Sequence, residues 1–202
     1  MEGEASKTRL VELLKRDALR TGTFTLASGR QSHYYVDGRT VTLSAEGAEA
    51  VAHGVLDILA RHPEITAVGG LTMGADPIVG ATLALAASRG RPDLRGFLVR
   101  KEAKTHGTGK LVEGPLEHGQ TVAILDDVAT TGGSSLQAVA AVKAFGAHVG
   151  CVIVMLDRLE GAAESFANQS LPFFALTTIR DLGVEPLEVF HPEVTELPEI
   201  MG

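Results

Sequence analysis

Two adjacent acids, Asp126 and Asp127, stand between an apolar run and a glycine-rich loop, and this order indicates the chemistry of a ligand. Residues 122–125 show no polar alternation, which is typical of a parallel strand buried on both faces. Ligands of open α/β sheets bind at the carboxyl ends of such strands, where both acids would lie. Neighbouring carboxylates at that position can accept hydrogen bonds from vicinal hydroxyls such as those of a ribose.

The loop after the acids, residues 129–134, is suited to a phosphate. Gly132 and Gly133 let the backbone turn tightly because they carry no Cβ and tolerate positive φ. Successive backbone N–H groups that lead into a helix N-terminus form an anion site. A ribose 5-phosphate would therefore fit the acids and the loop together. The alternative is a buried strand that ends in an ordinary acidic turn.

Two common nucleotide-binding motifs are absent from the sequence. The Gly109-Lys110 pair is followed by Leu111 instead of Ser or Thr, and Lys104 stands where the first glycine of a P-loop belongs. No Gly-x-Gly-x-x-Gly run occurs, so a dinucleotide-binding fold has no fingerprint here. Both observations leave the ribose phosphate interpretation in place.

The chain length and the predicted secondary structure around these residues indicate one α/β domain. The 202 residues are enough for one full core and short for two. Strand-like and helix-like patterns alternate from residue 66 onward, which favours a central mostly parallel sheet flanked by helices. The predicted strands are residues 66–70, 97–100, 121–126, 149–156 and 173–179, and the predicted helices are residues 77–88, 135–145 and 161–168.

The N-terminal part, residues 1–40, is predicted to form a helix and a small hood over the sheet. Apolar residues recur at helical spacing between a possible cap at Ser6 and a stop at Gly22. Residues 23–39 show short strand-like pieces broken by glycines, and a second helix is predicted to begin after a cap at Ser44. The tail, residues 185–202, gives no clear pattern.

The charge distribution excludes some partners. The formal net charge of −7 argues against general nucleic-acid binding, which needs a basic face. Positive charge is instead concentrated in residues 100–110, where Arg100, Lys101, Lys104 and Lys110 face a single opposing acid, Glu102. Such a segment suits an anionic substrate.

Membrane and disulfide roles have no support in the sequence. The longest apolar runs are far below the roughly 20 residues that a membrane-spanning helix needs. Residues 1–9 lack the apolar core of a signal peptide, so we expect a cytoplasmic protein without membrane partners. The single cysteine, Cys151, lies in a predicted core strand, and we assign it no chemistry.

Four segments carry a resemblance to a known family. Residues 122–134 end in Asp-Asp-x-x-Thr-Thr-Gly-Gly-Ser, which resembles the phosphoribosyl pyrophosphate (PRPP) motif of type I phosphoribosyltransferases. Residues 99–107 resemble the mobile catalytic loop of the orotate phosphoribosyltransferases, and residues 24–37 resemble their N-terminal signature. Residues 156–161 are similar to the orotate-contacting turn of that family. The segments occur in the family's order and extend the resemblance from about residue 24 to residue 161.

The resemblance implies a role for each matching residue. The implied catalytic residues are Lys101, Lys104, His106, Asp126 and Asp127. The implied PRPP-binding residues are Arg100, Lys101, Lys104, His106, Asp126, Asp127, Val128, Ala129, Thr130, Thr131, Gly132, Gly133 and Ser134, and the pyrophosphate loop is Thr72, Met73 and Gly74. The implied orotate-binding residues are Tyr34, Tyr35, Thr130 and Arg158. The implied cofactor is Mg2+, bridging pyrophosphate and ribose oxygens, and no protein side chain is assigned to the metal.

For several of these residues a purely structural role, without ligand binding, stays open. Gly69-Gly70, before the pyrophosphate loop, could simply allow a tight turn at the end of a strand. The basic residues of segment 100–110 could belong to a solvated surface loop. Arg158 offers a planar fork for the carboxylate of orotate, but it could instead pair with Asp157 or Glu160. Tyr34 and Tyr35 could flank the pyrimidine ring or belong to the core of the hood.

Two positions depart from the family's pattern. Ala27 and Met73 stand where the family often has lysine, which puts two cationic contacts in doubt. The resemblance also implies a homodimer in which the lid, residues 101–114, reaches into the neighbouring subunit. We expect transfer of the phosphoribosyl group from PRPP to orotate, giving orotidine 5'-monophosphate and pyrophosphate. The alternatives are a type I transferase for another base and a non-catalytic PRPP-sensing regulator.

Overall fold

A six-stranded sheet forms the centre of the protein, which we describe from a computed structural model covering residues 2–25, 29, 31–102 and 110–187. Its strands are β3 (Ala67–Leu71), β4 (Arg95–Val99), β5 (Val112–Glu113), β6 (Thr121–Ala129), β7 (His148–Asp157) and β8 (Phe173–Thr178). The strand order is β5-β4-β3-β6-β7-β8, and every neighbouring pair is parallel except β4 and β5. The predicted α/β class with a mostly parallel sheet is confirmed.

Helices cover both faces of this sheet, and this explains the unbroken apolar runs in its central strands. On β6, Ala123 and Leu125 belong to a core cluster with the first helices, whereas Val122 and Ile124 belong to the opposite cluster with α5 and α6. Side chains alternate between faces along a strand, so a strand covered on both sides must be apolar throughout. The helices are α1 (Glu2–Leu13), α2 (Arg39–Thr42), α3 (Ala45–Leu59), α4 (Ala75–Ala86), α5 (Gly133–Phe145) and α6 (Ala162–Ala167).

A two-stranded antiparallel hairpin, β1 (Leu19–Thr25) and β2 (Gln31–Val36), forms the predicted hood. A π-helical turn, Leu14–Ala18, connects it to α1. The burial of β2 alternates strictly, with Ser32, Tyr34 and Val36 buried and the residues between them exposed. The hairpin therefore has one face on the core and one face toward solvent and the site.

Several predicted boundaries are wrong by a few residues. The first helix begins at Glu2, so Ser6 is no cap; its hydroxyl donates to the carbonyl of Ala50 on α3. Ser44 does cap α3, as predicted, by accepting from the backbone N–H of Gly47. The short edge strand β5 and the single-turn helix α2 were not predicted, because neither is long enough to show periodicity.

Cys151 lies in the core of the sheet. Cys151 is fully buried on β7, and burial raises the pKa of its thiol to about 12, which keeps it unreactive. Within the described ranges, no helix is long and apolar enough to cross a membrane. The division into one domain with an N-terminal element in residues 1–40 stays a prediction.

Candidate active site

The acids Asp126 and Asp127 lie on β6 beyond the end of its ladder with β3. The two strands are paired only as far as Gly69 and Ile124, whereas β7 stays paired with β6 up to Ala129. The strand is therefore longer than predicted, because its ladder with β7 continues past the acids. Since β3 has already left the ladder, both carboxylates border the open edge of the sheet where its ligands are expected.

Asp126 is held in place by the first turn of α5. Its side chain is only 4% exposed. The hydroxyls of Ser134 and Ser135 both donate to Oδ2, at 2.5 and 2.8 Å, and the backbone N–H of Asp127 donates to Oδ1 at 3.1 Å. Three donors on one carboxylate fix its rotamer, so the helix that follows the glycine loop also orients the acid.

The carboxylate of Asp127 accepts fewer hydrogen bonds from the described residues than that of Asp126. The backbone N–H of Val128 donates to its Oδ1 at 2.8 Å. Burial, followed by the negative charge of Asp126, raises the pKa of Asp127 from 3.8 to about 6. The two adjacent carboxylates concentrate negative charge at this edge of the sheet. A ligand that offers hydroxyl donors or a cation would therefore be favoured there.

The predicted pyrophosphate loop, Thr72, Met73 and Gly74, forms the turn between β3 and α4 and lies against both acids. A Cβ on Gly74 would come within 2.8 Å of Asp126 Oδ1 and 2.9 Å of Asp127 Oδ1. Only glycine lets the backbone approach the carboxylates this closely. The Met73 side chain is 64% exposed and makes the mouth of the site partly apolar at this position.

The predicted phosphate loop connects β6 to α5, and two features of the structure require glycine at position 132. Gly132 has a φ of 82°, in the left-handed region that favours glycine. A Cβ there would also come within 2.7 Å of the Phe166 ring. The loop leads directly into the N-terminus of the 13-residue α5, where unpaired N–H groups attract anions.

A cleft of about 310 Å³ joins these parts and is bordered by the hood, the turn after β3 and the acids. Among the described residues, two cations line it, Arg39 and Lys101. Arg39 is held by Asp37, whose Oδ1 and Oδ2 accept from its Nε and Nη2 at 3.0 and 3.3 Å. The other lining residues include Tyr35, Thr72, Met73, Gly74, Asp126, Asp127, Val128 and Ser134.

Tyr34 and Tyr35 have different surroundings in this structure, and the prediction that they flank a base stays a prediction. Neighbouring residues of a strand point to opposite faces, and β2 buries Tyr34 completely while Tyr35 is 42% exposed in the cleft. The Tyr34 hydroxyl donates to Glu160 Oε1 at 3.0 Å. Burial raises the pKa of Tyr34, so its hydroxyl stays protonated. Of the two tyrosines, Tyr35 therefore lines the cleft, and Tyr34 is buried behind it.

Arg158 lies just after β7 and forms the ion pair with Glu160 that the sequence left open as an alternative. Its Nη2 lies 2.8 Å from Glu160 Oε1, and its Nε donates to the Tyr34 hydroxyl at 3.3 Å. The guanidinium carbon lies 4.9 Å from the centre of the Tyr34 ring. The residue is only 7% exposed. Its role toward orotate stays a prediction, as do the ligand roles of Thr130 and Thr131.

The base of the predicted lid is anchored on two sides. Arg100 pairs with Glu113 on β5 at 3.0 Å, and the side-chain amide of Gln137 on α5 donates to the Lys101 carbonyl at 3.0 Å. The predictions for Lys104 and His106 fall on residues 103–109, outside the described residues, as does Ala27. Their roles stay predictions.

Two residues of the site, Ser135 and Arg39, are not predicted from the sequence. Ser135 gives no distinct signal, because the glycine motif already accounts for the neighbouring serine. Arg39 reaches the site only through the fold. The strict period-2 burial of β2, by contrast, follows from the general rule for strands, and it would have separated Tyr34 from Tyr35.

The chain is similar to known proteins in sequence and in structure. No family model matches the chain. An orotate phosphoribosyltransferase of Rhodopirellula baltica is 48% identical over 182 residues, covering 88% of this chain and 94% of the relative. One from Thermosynechococcus vestitus is 48% identical over 177 residues, covering 87% and 92%. A crystal structure of Mycobacterium tuberculosis orotate phosphoribosyltransferase in complex with PRPP is similar, with a TM-score of 0.75, 35% identity and coverage of 89% and 99%.

Proposed function

This chain belongs to the orotate phosphoribosyltransferase family, and from that premise we propose that it transfers the 5-phosphoribosyl group of PRPP to orotate, with residues 126–134 holding the ribose phosphate. The observation that carries the assignment of the site is the arrangement on β6. Two carboxylates border the open sheet edge, and a glycine loop leads from them into a helix N-terminus. Carboxylates accept from the ribose hydroxyls, and the loop N–H groups donate to the 5-phosphate.

In this transfer a ring nitrogen of orotate forms a bond to the anomeric carbon as the bond to the pyrophosphate oxygen breaks. Positive charge develops on the sugar, and the departing group becomes more negative. No protein nucleophile is needed, so the residues act by orientation and by electrostatics. Asp126, fixed by two serines, orients the ribose, and Lys101 faces the departing pyrophosphate from the edge of the cleft.

Magnesium fits the donor chemistry of the site. Asp126 and Asp127 are hard oxygen donors beside the cleft. Burial and then the negative charge of Asp126 raise the pKa of Asp127, and a cation would neutralise that charge. Within the described residues, no three ligating side chains converge on one point. Asp126 and Asp127 would help to hold Mg2+ that binds together with PRPP, and the ion would supply positive charge beside the leaving pyrophosphate.

The homodimer with shared active sites and the cytoplasmic location also belong to this proposal. A shared site is supported by the resemblance of residues 99–107 to the family's mobile catalytic loop. The location is supported by the family's substrates, which are highly charged small molecules.

The decisive experiment is a turnover assay with PRPP, Mg2+ and a panel of bases. We expect orotate to be consumed with release of pyrophosphate, and we expect the Asp126→Asn, Asp127→Asn double variant to lose this turnover while keeping its circular dichroism spectrum. Turnover of another base instead would favour the first alternative function. PRPP binding without turnover of any base would favour a sensor, and normal turnover in the double variant would overturn the ribose assignment.

A further inference from the structure

The turn after β7 has an unusual backbone. Leu159 has a φ of 59°, which is uncommon for a residue with a branched side chain. The carboxylate of Asp157 accepts from the Leu159 backbone N–H at 2.8 Å, and the Leu159 side chain packs against the core. Residues held in this way often belong to functional sites, because the surroundings must maintain a costly conformation. This turn brings the side chains of Arg158 and Glu160 into hydrogen-bonding contact with the same residue, Tyr34.

Glu160 is the centre of a buried triangle of polar groups. Its side chain is almost fully buried, and its Oε1 accepts from the Tyr34 hydroxyl at 3.0 Å and lies 2.8 Å from Arg158 Nη2. The third side is the bond from Arg158 Nε to the Tyr34 hydroxyl at 3.3 Å. The Tyr34 hydroxyl thus donates to the acid and accepts from the guanidinium, which fixes the direction of every bond in the triangle.

The triangle leaves Arg158 with capacity for a ligand. A guanidinium has five N–H donors, and of these only Nε has an aligned acceptor in the part of the chain that the structure describes. Nη2 is close to Glu160 but has no aligned hydrogen-bond acceptor among the described residues, although the atom is buried. A buried guanidinium without a counter-charge would be costly, so Glu160 is what allows Arg158 to stay at this position.

We propose that Glu160 is a positioning residue that locks Arg158 and the hood tyrosine Tyr34 together and thereby sets the affinity for the pyrimidine substrate; this rests on the proposed function. The acid contacts no substrate itself. It acts by holding the guanidinium against the Tyr34 ring, so that the remaining donors stay directed for a carboxylate or carbonyl oxygen. Because Tyr34 belongs to β2 and Glu160 follows β7, the same contact attaches the hood to the sheet.

The test is the Glu160→Gln variant, which keeps the side-chain volume and removes the charge. We expect the KM for orotate to rise about tenfold, in the range for a lost charge-assisted contact, while the KM for PRPP changes less than twofold. Glu160→Asp keeps the charge and should recover part of the orotate affinity. The matched control is Arg91→Gln, which removes hydrogen bonds to the carbonyls of Leu59 and Ile65 at the opposite end of the sheet. The control should lower the melting temperature without changing either KM.

A second variant keeps the inference testable if Glu160→Gln fails to fold. Tyr34→Phe removes only the hydroxyl, and we expect a rise of about threefold in the orotate KM, because the guanidinium keeps its ring contact. An unchanged or lowered orotate KM in both variants, or equal rises for both substrates, would overturn the positioning role. A wild-type protein without orotate turnover would instead overturn the proposed function, and the inference with it.

Discussion

Replacing Asp127 with asparagine should make the protein more stable and less active at once. Burial and the neighbouring Asp126 raise the pKa of Asp127 from 3.8 to about 6 in the folded protein. The unfolded chain releases this proton near pH 4, so the folded state binds more protons between these values. The stability contribution of the protonated acid is fully present below pH 3.8 and is lost as the pH rises through about 6.

The size of the effect follows from the shift. About two pKa units at 1.36 kcal/mol each give an upper limit of about 3 kcal/mol. The carboxylate is partly open to the cleft, and the asparagine amide still needs hydrogen-bond partners, so we expect a gain of about 1–2 kcal/mol in unfolding free energy at pH 8. The gain should vanish near pH 4, where both forms are neutral at this position.

Urea unfolding of both proteins at a series of pH values between 4 and 8 measures this difference. Asp181→Asn is a control of opposite sign. Asp181 accepts from the Thr178 backbone at 2.7 Å and pairs with Lys7 at 3.1 Å, and its pKa is lowered. Its contribution is present above pH 3.8 and is lost as the pH falls through the lowered pKa, so this variant should be less stable at pH 8. A gain for Asp127→Asn that is independent of pH, or a loss at pH 8, would refute the reasoning.

Two further predictions concern charge at the cleft. Arg39→Gln should raise the KM for PRPP about two- to fivefold, since Arg39 is held by Asp37 at a cleft that has methionine in place of the family's lysine. The effect should weaken with salt, and Arg16→Gln, at a similar exposed ion pair away from the cleft, should leave this KM unchanged. Mixing inactive Lys101→Ala and Asp127→Asn chains should restore some turnover if the lid acts across a dimer. Verified heterodimers without turnover would instead assign the lid to its own subunit.

The sequence was most informative where physical rules act locally. The apolar runs of β6 and β7 predicted buried parallel strands, and both strands lie in the middle of the sheet with core on each face. The two-residue strand β5 could not be predicted, because its hydrogen bonds to β4 depend on the path of the chain between them. The end of β6 was placed too early because a polar residue was taken as the end of the strand, whereas its ladder with β7 continues.

The two ends of the site differ in how far they can be read from sequence. The described hydrogen bonds to the Asp126 carboxylate, and the loop proposed for the 5-phosphate, lie within ten residues of the chain, so a local motif is sufficient to predict that end. The proposed base end joins Tyr34 on the hood to residues after β7, a separation of 126 positions. Such a contact leaves no periodic or compositional signal. Alternation along β2 could exclude one of the two tyrosines from the cleft, but only folding reveals that the excluded tyrosine anchors the arginine.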